Sequence, residues 1–520
     1  MSLAQHTRRV SVLTLLAAAL LFWLARHTEI LFADGLRYIE QAQRIENGAW
    51  REGLLKSVDH PMYPLAMAAV HHWLGGDGPY SWQRAAQATS LLAGVLLVLP
   101  LYLVAIELFG AESAWLACLL TYAVPLTGHV LADALSEGTF LLFWTWGLWA
   151  AFRFLREGAF GWLPLTITLG ALAYLSRPEG LLLPAALVAT LLVMPVLRAT
   201  RLNWPRWWAA IGFLLIGPAL LVGPYVAVKG GLGTKPAIAR LLGTAPPAPA
   251  SAVERLRPLD PNQTPARTYY QAVKAVGLAV RDAVTVPLLV LTALGVVLAW
   301  PPGPKARVWL FVGVIEVASV LALVRLHATG GYCSPRHAMV LAFLLIPAAA
   351  FAIHRAISAI AIPGSWLGLG EGVFRPGPAV WGLLLCGIAA LYGKATLAPV
   401  NEGFGAYRLA GAWLAEHVPP GTPVVDVTGW SLFYGQRPGY TFANLHESFG
   451  NPELRWVIAR EAHMKGPWHY CDQLRTLVAE RRPVEVFQAA AQRGQVQVYV
   501  FDLQSPAPRS ALQEPDSPRR

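Results

Sequence analysis

Two stretches set the class of this chain: Val10–Arg26, VSVLTLLAAALLFWLAR, and, after a short link, Phe32–Ile45, FADGLRYIEQAQRI. The first is an apolar run of bilayer-spanning length, for which about 17–25 residues are needed. The second places a carboxylate, Asp34, where a hydrophobic helix meets water. Arg37, Tyr38 and Gln41 follow at i+3, i+4 and i+7, so on a helix all four share one face. A charge at a membrane boundary is costly to misplace and usually marks a site. The competing reading is a plain helix N-terminus, with Asp34 as cap and the other charges in water.

Working outward, the same apolar pattern recurs along the chain. Of its 520 residues, 55% are hydrophobic and 14% charged, against roughly 25% charged in soluble domains. The mean hydropathy is +0.46. Spans are predicted at about 10–26, 85–108, 113–131, 135–154, 160–175, 180–197, 207–228, 283–300, 307–325, 338–356 and 377–397. The predicted fold class is therefore an α-helical polytopic membrane protein with about 11–13 transmembrane helices. Met62–Leu74 reads as a half-buried helix at the interface. No 20–50-residue repeat is evident.

The net charge is +11. It does not point to nucleic acid, because no basic stripe is joined to stacking aromatics in a soluble segment. Loop charge and anionic lipid head groups explain it. The four cysteines make no metal motif. Cys118 and Cys386 fall in apolar runs; Cys333 and Cys471 leave a disulfide open. The first apolar run lacks an A-x-A cleavage site, so it reads as a retained anchor.

Short loops carrying Arg8, Arg9, Arg153, Arg156, Arg198, Arg201, Arg206, Lys305, Arg307, Arg355 and Arg375 fall on one side, which the positive-inside rule makes cytoplasmic. The other side holds a first loop, 27–84, and a later loop, 229–282, with a Pro- and Ala-rich stretch at Thr244–Ala250. The membrane part is expected over 1–398 and a soluble extracytoplasmic α/β domain over 399–504. In that domain Ala406–Val418 is amphipathic, Thr422–Val427 and Val496–Leu503 read as strands, and Glu453–His463 as a helix. The tail 505–520 is Pro-rich and charged and is expected to be disordered.

Five constellations carry chemistry. Asp34, with Arg37 and Tyr38, suits a general base at the membrane surface. In Asp59-His60-Pro61-Met62-Tyr63-Pro64, two prolines three apart exclude a regular helix and hold His60 and Tyr63 rigidly; a simple loop turn competes. In Asp133-Ala134-Leu135-Ser136-Glu137, the two carboxylates at i, i+4 share a face and fit a hydroxyl-binding or metal-assisted site. A helix N-terminus favoured by the dipole explains Asp133 but not Glu137, a turn deeper. Ser176-Arg177-Pro178-Glu179-Gly180 separates two apolar runs with almost no loop, where a snorkelling Arg in a tight turn competes. In the last, Arg336 and His337 enter a late span, and an Arg there suits a buried phosphate or a structural ion pair. Asp34, Asp133, Glu137, Arg177 and Arg336 all fall on one side, which suits a lipid phosphate with its tail in the bilayer. No Walker loop, HExxH or nucleophile elbow stands in a suitable context.

The order of DGLRYIEQA, HPMYP, DALSEGTF, SRPEG and SPRH resembles the GT-C membrane glycosyltransferases. Within them it is similar to the bacterial family-39-type and lipid A aminoarabinose transferase-like enzymes and the protein O-mannosyltransferases. The resemblance spans roughly residues 10–355 and implies a bacterial inner-membrane enzyme. It would move a sugar from a polyprenyl-phosphate donor to an acceptor hydroxyl, with inversion, on the extracytoplasmic face. It implies Asp34 and Glu137 as catalytic residues. Arg177, Arg336 and His337 would bind the donor phosphate, and Arg37, Tyr38, His60, Tyr63 and Asp133 would hold acceptor or sugar. A divalent metal at Asp133 and Glu137 stays open. The sequence departs from the protein mannosyltransferases in having Gly35, not a second acid, after Asp34, so the acceptor is left as lipid, glycan or protein. Two other classes stay in view: a transporter or flippase of an anionic lipid, and a non-catalytic subunit of an envelope-assembly complex. A transporter would use the same buried charges but is expected to carry internal repeats, and a non-catalytic subunit would leave Asp34 and Glu137 unexplained.

Overall fold

The computed structural model describes residues 2–197, 203–232, 265–300, 305–330, 333–360, 362–363, 373–374, 377–466, 469–479, 481–491 and 494–505. The stretch Thr244–Ala250 and all but the first residue of the tail 505–520 lie outside the described residues.

The N-terminal half is a run of helices: α1 (Leu3–Arg26), α2 (Ala33–Glu46), α3 (Trp50–Lys56), α4 (Met62–Leu74), α5 (Pro79–Phe109), α6 (Ala111–Ala123), α7 (Pro125–Ala132), α8 (Glu137–Glu157), α9 (Trp162–Ser176), α10 (Leu182–Val193) and α11 (Trp204–Lys229). Among the described residues, six helices are long and apolar enough to cross a membrane, and up to eight if each bent pair counts as one span. Four of the eleven apolar runs fail to make a long straight helix, for three reasons. Ala111–Ala123 and Pro125–Ala132 meet at 69°, because Pro125 offers no N–H and keeps Val124 extended. Tyr269–Val284 and Val286–Ala299 meet at 94°, at Thr285 with φ of 76°. Trp162–Ser176 and Pro178–Val193 are apolar but short, below the roughly 20 residues that span a bilayer. The largest apolar cluster lies between these helices, with Trp144, Phe152, Phe311 and Phe343 fully buried.

The link after α1 turns back as α2, whose Ala, Leu, Gln, Glu and Arg content favours helix. Asp34 sits in its first turn, where a negative charge suits the helix dipole. Phe32, not Asp34, occupies the N-cap, and no side chain caps the helix. The inner face of α2 (Tyr38, Ile39, Ala42) packs on Tyr63 and Met67 of α4 and on Trp82, Ala85 and Ala86 of α5. The two prolines of HPMYP do not exclude a helix: α4 begins at Met62 with Pro61 as N-cap and Pro64 in the first turn, where no intrahelical N–H bond is lost.

Beyond a two-stranded pair, β1 (Ile362–Pro363) with β2 (Val373–Phe374), the C-terminal part carries a five-stranded sheet. Its strands are β3 (Val424–Asp426), β4 (Gly439–Tyr440), β5 (Trp456–Arg460), β6 (Glu485–Ala491) and β7 (Gly494–Asp502), in the order β4-β3-β5-β7-β6. β3 is parallel to β4 and β5, whereas β7 is antiparallel to β5 and β6. The centre of the expected helix Glu453–His463 is strand β5, and only its last three residues fall in a helix, Glu461–Lys465. Val457 and Ile458 are β-branched and the strand is buried on both faces, a pattern that periodicity does not separate from a buried helix. Cys333 and Cys471 are not joined by a disulfide.

This part is fastened to the face bearing Asp34 at four points. Asn401 Nδ2 donates to Ile30 O and to Asp133 Oδ2, each at 2.8 Å. Glu29 Oε2 accepts from the N–H groups of Gly403 and Gly405. Trp430 Nε1 donates to Leu31 O at 2.9 Å, and Tyr434 OH donates to Gln83 Oε1 at 2.8 Å.

Candidate active site

Four chain segments bring charge to one place. Asp34 comes from α2, Glu137 from the first position of α8, Arg177 from the end of α9, and Arg336 from the 3-10 turn Pro335–Ala338. Arg336 is central. Its Nη2 lies 2.5 Å from Asp34 Oδ2 and its Nη1 3.6 Å from Glu137 Oε1. Its guanidinium also lies over the Phe32 ring, 4.4 Å from the centroid.

Each carboxylate has a second cation. Arg37 Nη2 lies 3.1 Å from Asp34 Oδ1, the i, i+3 neighbour expected on one helical face. Arg177 Nη1 lies 2.7 Å from Glu137 Oε1. The cations are bounded in turn by two more acids: Arg37 Nε donates to Asp59 Oδ2 at 3.0 Å, and Arg177 Nη2 to Glu179 Oε1 at 2.8 Å. The Arg177–Glu179 turn folds back tightly on α9. A Cβ at Gly180 would lie 2.1 Å from Tyr174 N, so only glycine allows it.

Burial decides what such pairs can do. Glu137 is 2% exposed and Asp59 1%, so either charge would be costly without its arginine. Asp34 keeps 21% of its side chain exposed, so of the two acids that Arg336 faces it is the accessible one. Burial alone would raise its pKa, but Arg336 and Arg37 outweigh that and hold it below the usual carboxylate value. A cavity of about 250 Å³ opens beside Arg336, with Phe32, His129, Asp133, Ser334 and Asn401 on its walls.

Asp133 and Glu137 do not share a helical face. Asp133 ends α7, Glu137 begins α8, and the residues between them are not helical. The Asp133 carboxylate is instead filled by N–H donors: Phe32 N, Ala134 N at 2.7 Å, and Asn401 Nδ2. Burial still pushes its pKa up to about 6 against those bonds. The residues therefore do not fit a divalent ion: one acid is enclosed by N–H groups and the other by guanidinium groups. No group of three or more His, Cys, Asp or Glu is placed to hold a metal among the described residues.

The remaining expected residues lie behind the charges. Tyr38 OH meets Ser136 Oγ at 3.2 Å, and its ring meets Tyr63 edge-on. Tyr63 is fully buried, donates to Ala86 O and accepts from Ser90 Oγ. His60 packs edge-on against Tyr174 at 4.9 Å. His337 Nδ1 closes a capping box with Ser334. Asp59 and Phe32, which fall in the stretches singled out in the sequence without a role of their own, belong to the same surroundings, as does Asn401, which carries no sequence signal. Asn401 reaches Asp133 across 268 residues, which local spacing cannot reveal.

Residues 59–221 match the family model described as dolichyl-phosphate-mannose-protein mannosyltransferase. The matched stretch holds Asp59, His60, Tyr63, Asp133, Glu137 and Arg177, but neither Asp34 nor Arg336. The whole chain is similar in structure to ArnT from Cupriavidus metallidurans bound to undecaprenyl phosphate. The TM-score is 0.57 at 14% identity, over 97% of this chain and 100% of that one. It is also similar to the Archaeoglobus fulgidus oligosaccharyltransferase tethered with an acceptor peptide, at TM-score 0.58 and 10% identity, over 94% and 73%. AglB from the same organism, in complex with an inhibitory peptide and a dolichol-phosphate, gives 0.57 at 12% identity, over 95% and 74%. The fold is that of the GT-C membrane glycosyltransferases. No curated protein matches the sequence. In this GT-C fold the charged cluster lies where α2, α8, α9 and the Pro335–Ala338 turn converge.

Proposed function

We propose that the protein is a glycosyltransferase that moves a sugar from a polyprenyl-phosphate donor to an acceptor hydroxyl. The observation that carries this reading is the Arg336 guanidinium between Asp34 and Glu137, beside a cavity of about 250 Å³. The match to a mannosyltransferase family model supports it, as does likeness to a protein holding undecaprenyl phosphate.

The chemistry follows from the charges. A polyprenyl phosphate is a good leaving group, so it needs charge stabilisation more than a proton. The acceptor oxygen attacks the anomeric carbon, the carbon–oxygen bond to phosphate breaks, and its electron pair leaves with the phosphate. Arg336 and Arg177 offer N–H donors to that developing charge. The acceptor's proton goes to Asp34. Direct displacement inverts the anomeric centre. Glu137, between the two arginines, holds their geometry and carries their charge until the donor arrives.

The donor also prepares the base. In the free protein both Asp34 oxygens face a guanidinium, which makes Asp34 a weak base. A phosphate that draws Arg336 away would weaken that pair and raise the basicity of Asp34 when the acceptor is present. Of the other expected residues, Asp133 lines the cavity, Tyr38, His60 and Tyr63 are buried, His337 holds the Pro335–Ala338 turn through Ser334, and the accessible Arg37 is the one offered to the acceptor. The loop charges support placing the reaction on the extracytoplasmic face.

The test is transfer from a radiolabelled polyprenyl-phosphate sugar in membranes. Transfer by the wild type and none by Asp34→Asn supports the reading. Translocation of the intact lipid without release of polyprenyl phosphate would replace it with a flippase.

A further inference from the structure

A second polar cleft lies at the opposite end of the bundle and takes no part in the proposed reaction. Helix α1 links the two ends: Arg8 and Arg9 lie in its first turns and Asp34 follows its last. At about 1.5 Å per residue that separation approaches the thickness of the hydrocarbon core. The cleft has a volume of about 550 Å³, between α1, α6 and the helices Met339–Ala359 and Gly377–Thr396.

Its walls change character with depth. Arg8, Arg9, Glu112 and His354 form the mouth, and Leu13, Leu16 and Leu119 form the apolar floor. Trp115 and Trp381 stand between, with ring centroids 5.1 Å apart, and His354 lies 5.9 Å from Trp381. Paired tryptophans between a charged rim and an apolar floor mark the head-group level of a bilayer.

Two arginines against one glutamate make the rim net positive, and Arg9 also donates to Ala111 O at 3.2 Å. Arg9 meets Glu112 at 3.5 Å, but Glu112 is 60% exposed there, and exposed pairs of this kind contribute little. Arg8, and Arg355 beside His354, enter no ion pair among the described residues. Glu107, a buried acid at the same end, is already held by Arg153 and Arg156.

We propose that this cleft binds an anionic phospholipid, with its phosphate at Arg8 and Arg9 and an acyl chain along Leu13 and Leu16. The head group must be anionic, because a zwitterionic lipid would bring a second cation to an already basic rim. The apolar floor excludes a free phosphate as the natural occupant. Basic pockets between transmembrane helices bind lipid phosphates by this combination of charge and apolar depth.

The test uses the full chain in detergent micelles, with retained lipid counted by native mass spectrometry. Dioleoyl phosphatidylglycerol and cardiolipin are compared with dioleoyl phosphatidylcholine. The wild type is expected to retain the anionic lipids preferentially. R8Q/R9Q should weaken that retention roughly 30-fold, at roughly five-fold per basic side chain near a lipid surface. Glu112→Gln removes the rim's only acid among the cleft residues and should strengthen retention, an outcome that misfolding cannot mimic. Equal retention of phosphatidylcholine would overturn the proposal. So would unchanged retention in both R8Q/R9Q and E112Q, or a dimer that covers the cleft whatever the head group. Asp34→Asn is expected to keep wild-type lipid retention, so failure of the glycosyltransferase reading and failure of the lipid site are separable.

Discussion

Arg336 Nη2 lies 2.5 Å from Asp34 Oδ2, although 302 residues separate them in sequence. The same guanidinium faces Glu137 at 3.6 Å. Neutralising Asp34 therefore does not strand Arg336 without a counter-charge. Asp34→Asn is expected to keep the fold, with thermal unfolding within a few degrees of wild type. Transfer should fall by roughly 10²–10⁴-fold, the usual contribution of a general base. A variant that folds and transfers at the wild-type rate would move the base elsewhere.

The same pair sets a pH dependence. Against burial, Arg336 and Arg37 keep the Asp34 carboxyl below its ordinary value. A depressed carboxylate pKa means the pair's stabilisation is present above the ordinary value, about 3.9. It is lost as pH falls through the depressed one. The acid limb of kcat/KM reports the free enzyme's base, so it should lie below about pH 4. Arg336→Gln withdraws the largest favourable charge and leaves burial less opposed, so the limb should move to higher pH. A pH–rate profile of the residual activity of that variant checks the direction. A limb that stays in place would mean that Asp34 is not the titrating group.

Gly35 explains the missing second acid. A Cβ built there would lie 2.7 Å from the Ala134 Cβ and 2.9 Å from its carbonyl oxygen. Helix α2 therefore presses against the link that carries Asp133, and no side chain fits. Gly35→Ala is expected to destabilise the protein by about 1–3 kcal/mol, the usual cost of overpacking. Gly35→Glu should cost more, without gaining transfer to protein acceptors. Thermal unfolding of the two variants in nanodiscs measures this, and wild-type stability in Gly35→Ala would contradict the close approach.

How much of this was legible beforehand follows physical lines. The membrane class was open to reading because apolar runs of bilayer length are a one-dimensional signal. The face joining Asp34, Arg37, Tyr38 and Gln41 was legible because α2 is regular. The convergence of Arg336 on Asp34 and Glu137 was foreseen only as a shared membrane side; the pairing depends on how distant segments pack. The Asp133–Glu137 face misled because Asp133 turns out of the helix to accept N–H groups, including that of Phe32. Strand β5 was read as helix because Trp456–Ala459 is buried throughout, leaving no alternation to find. Gly35 was visible as a departure, but its cause, contact with Ala134, was not.

Within the C-terminal sheet, His463 offers a test of stability apart from the reaction. It follows β5 and is 7% exposed. Arg460 Nε donates to its Nε2 at 3.1 Å, so the neutral ring must carry its proton on Nδ1, facing Tyr407 OH at 3.3 Å. A second proton at Nε2 would set donor against donor. Burial, and then the Arg460 charge, push the His463 pKa from 6.5 down to about 3. The folded form thus binds fewer protons than the unfolded one. Its stabilisation is complete above about pH 6.5 and declines as pH falls toward about 3, by at most about 1.4 kcal/mol per pH unit. Hydrogen exchange of residues 456–465 between pH 7 and 4.5 measures the opening free energy directly. The wild type should open more easily as pH falls, and His463→Gln, which has nothing to titrate, should lose most of that slope. Parallel pH dependence in the two proteins would show that the acid sensitivity of this segment arises from another group.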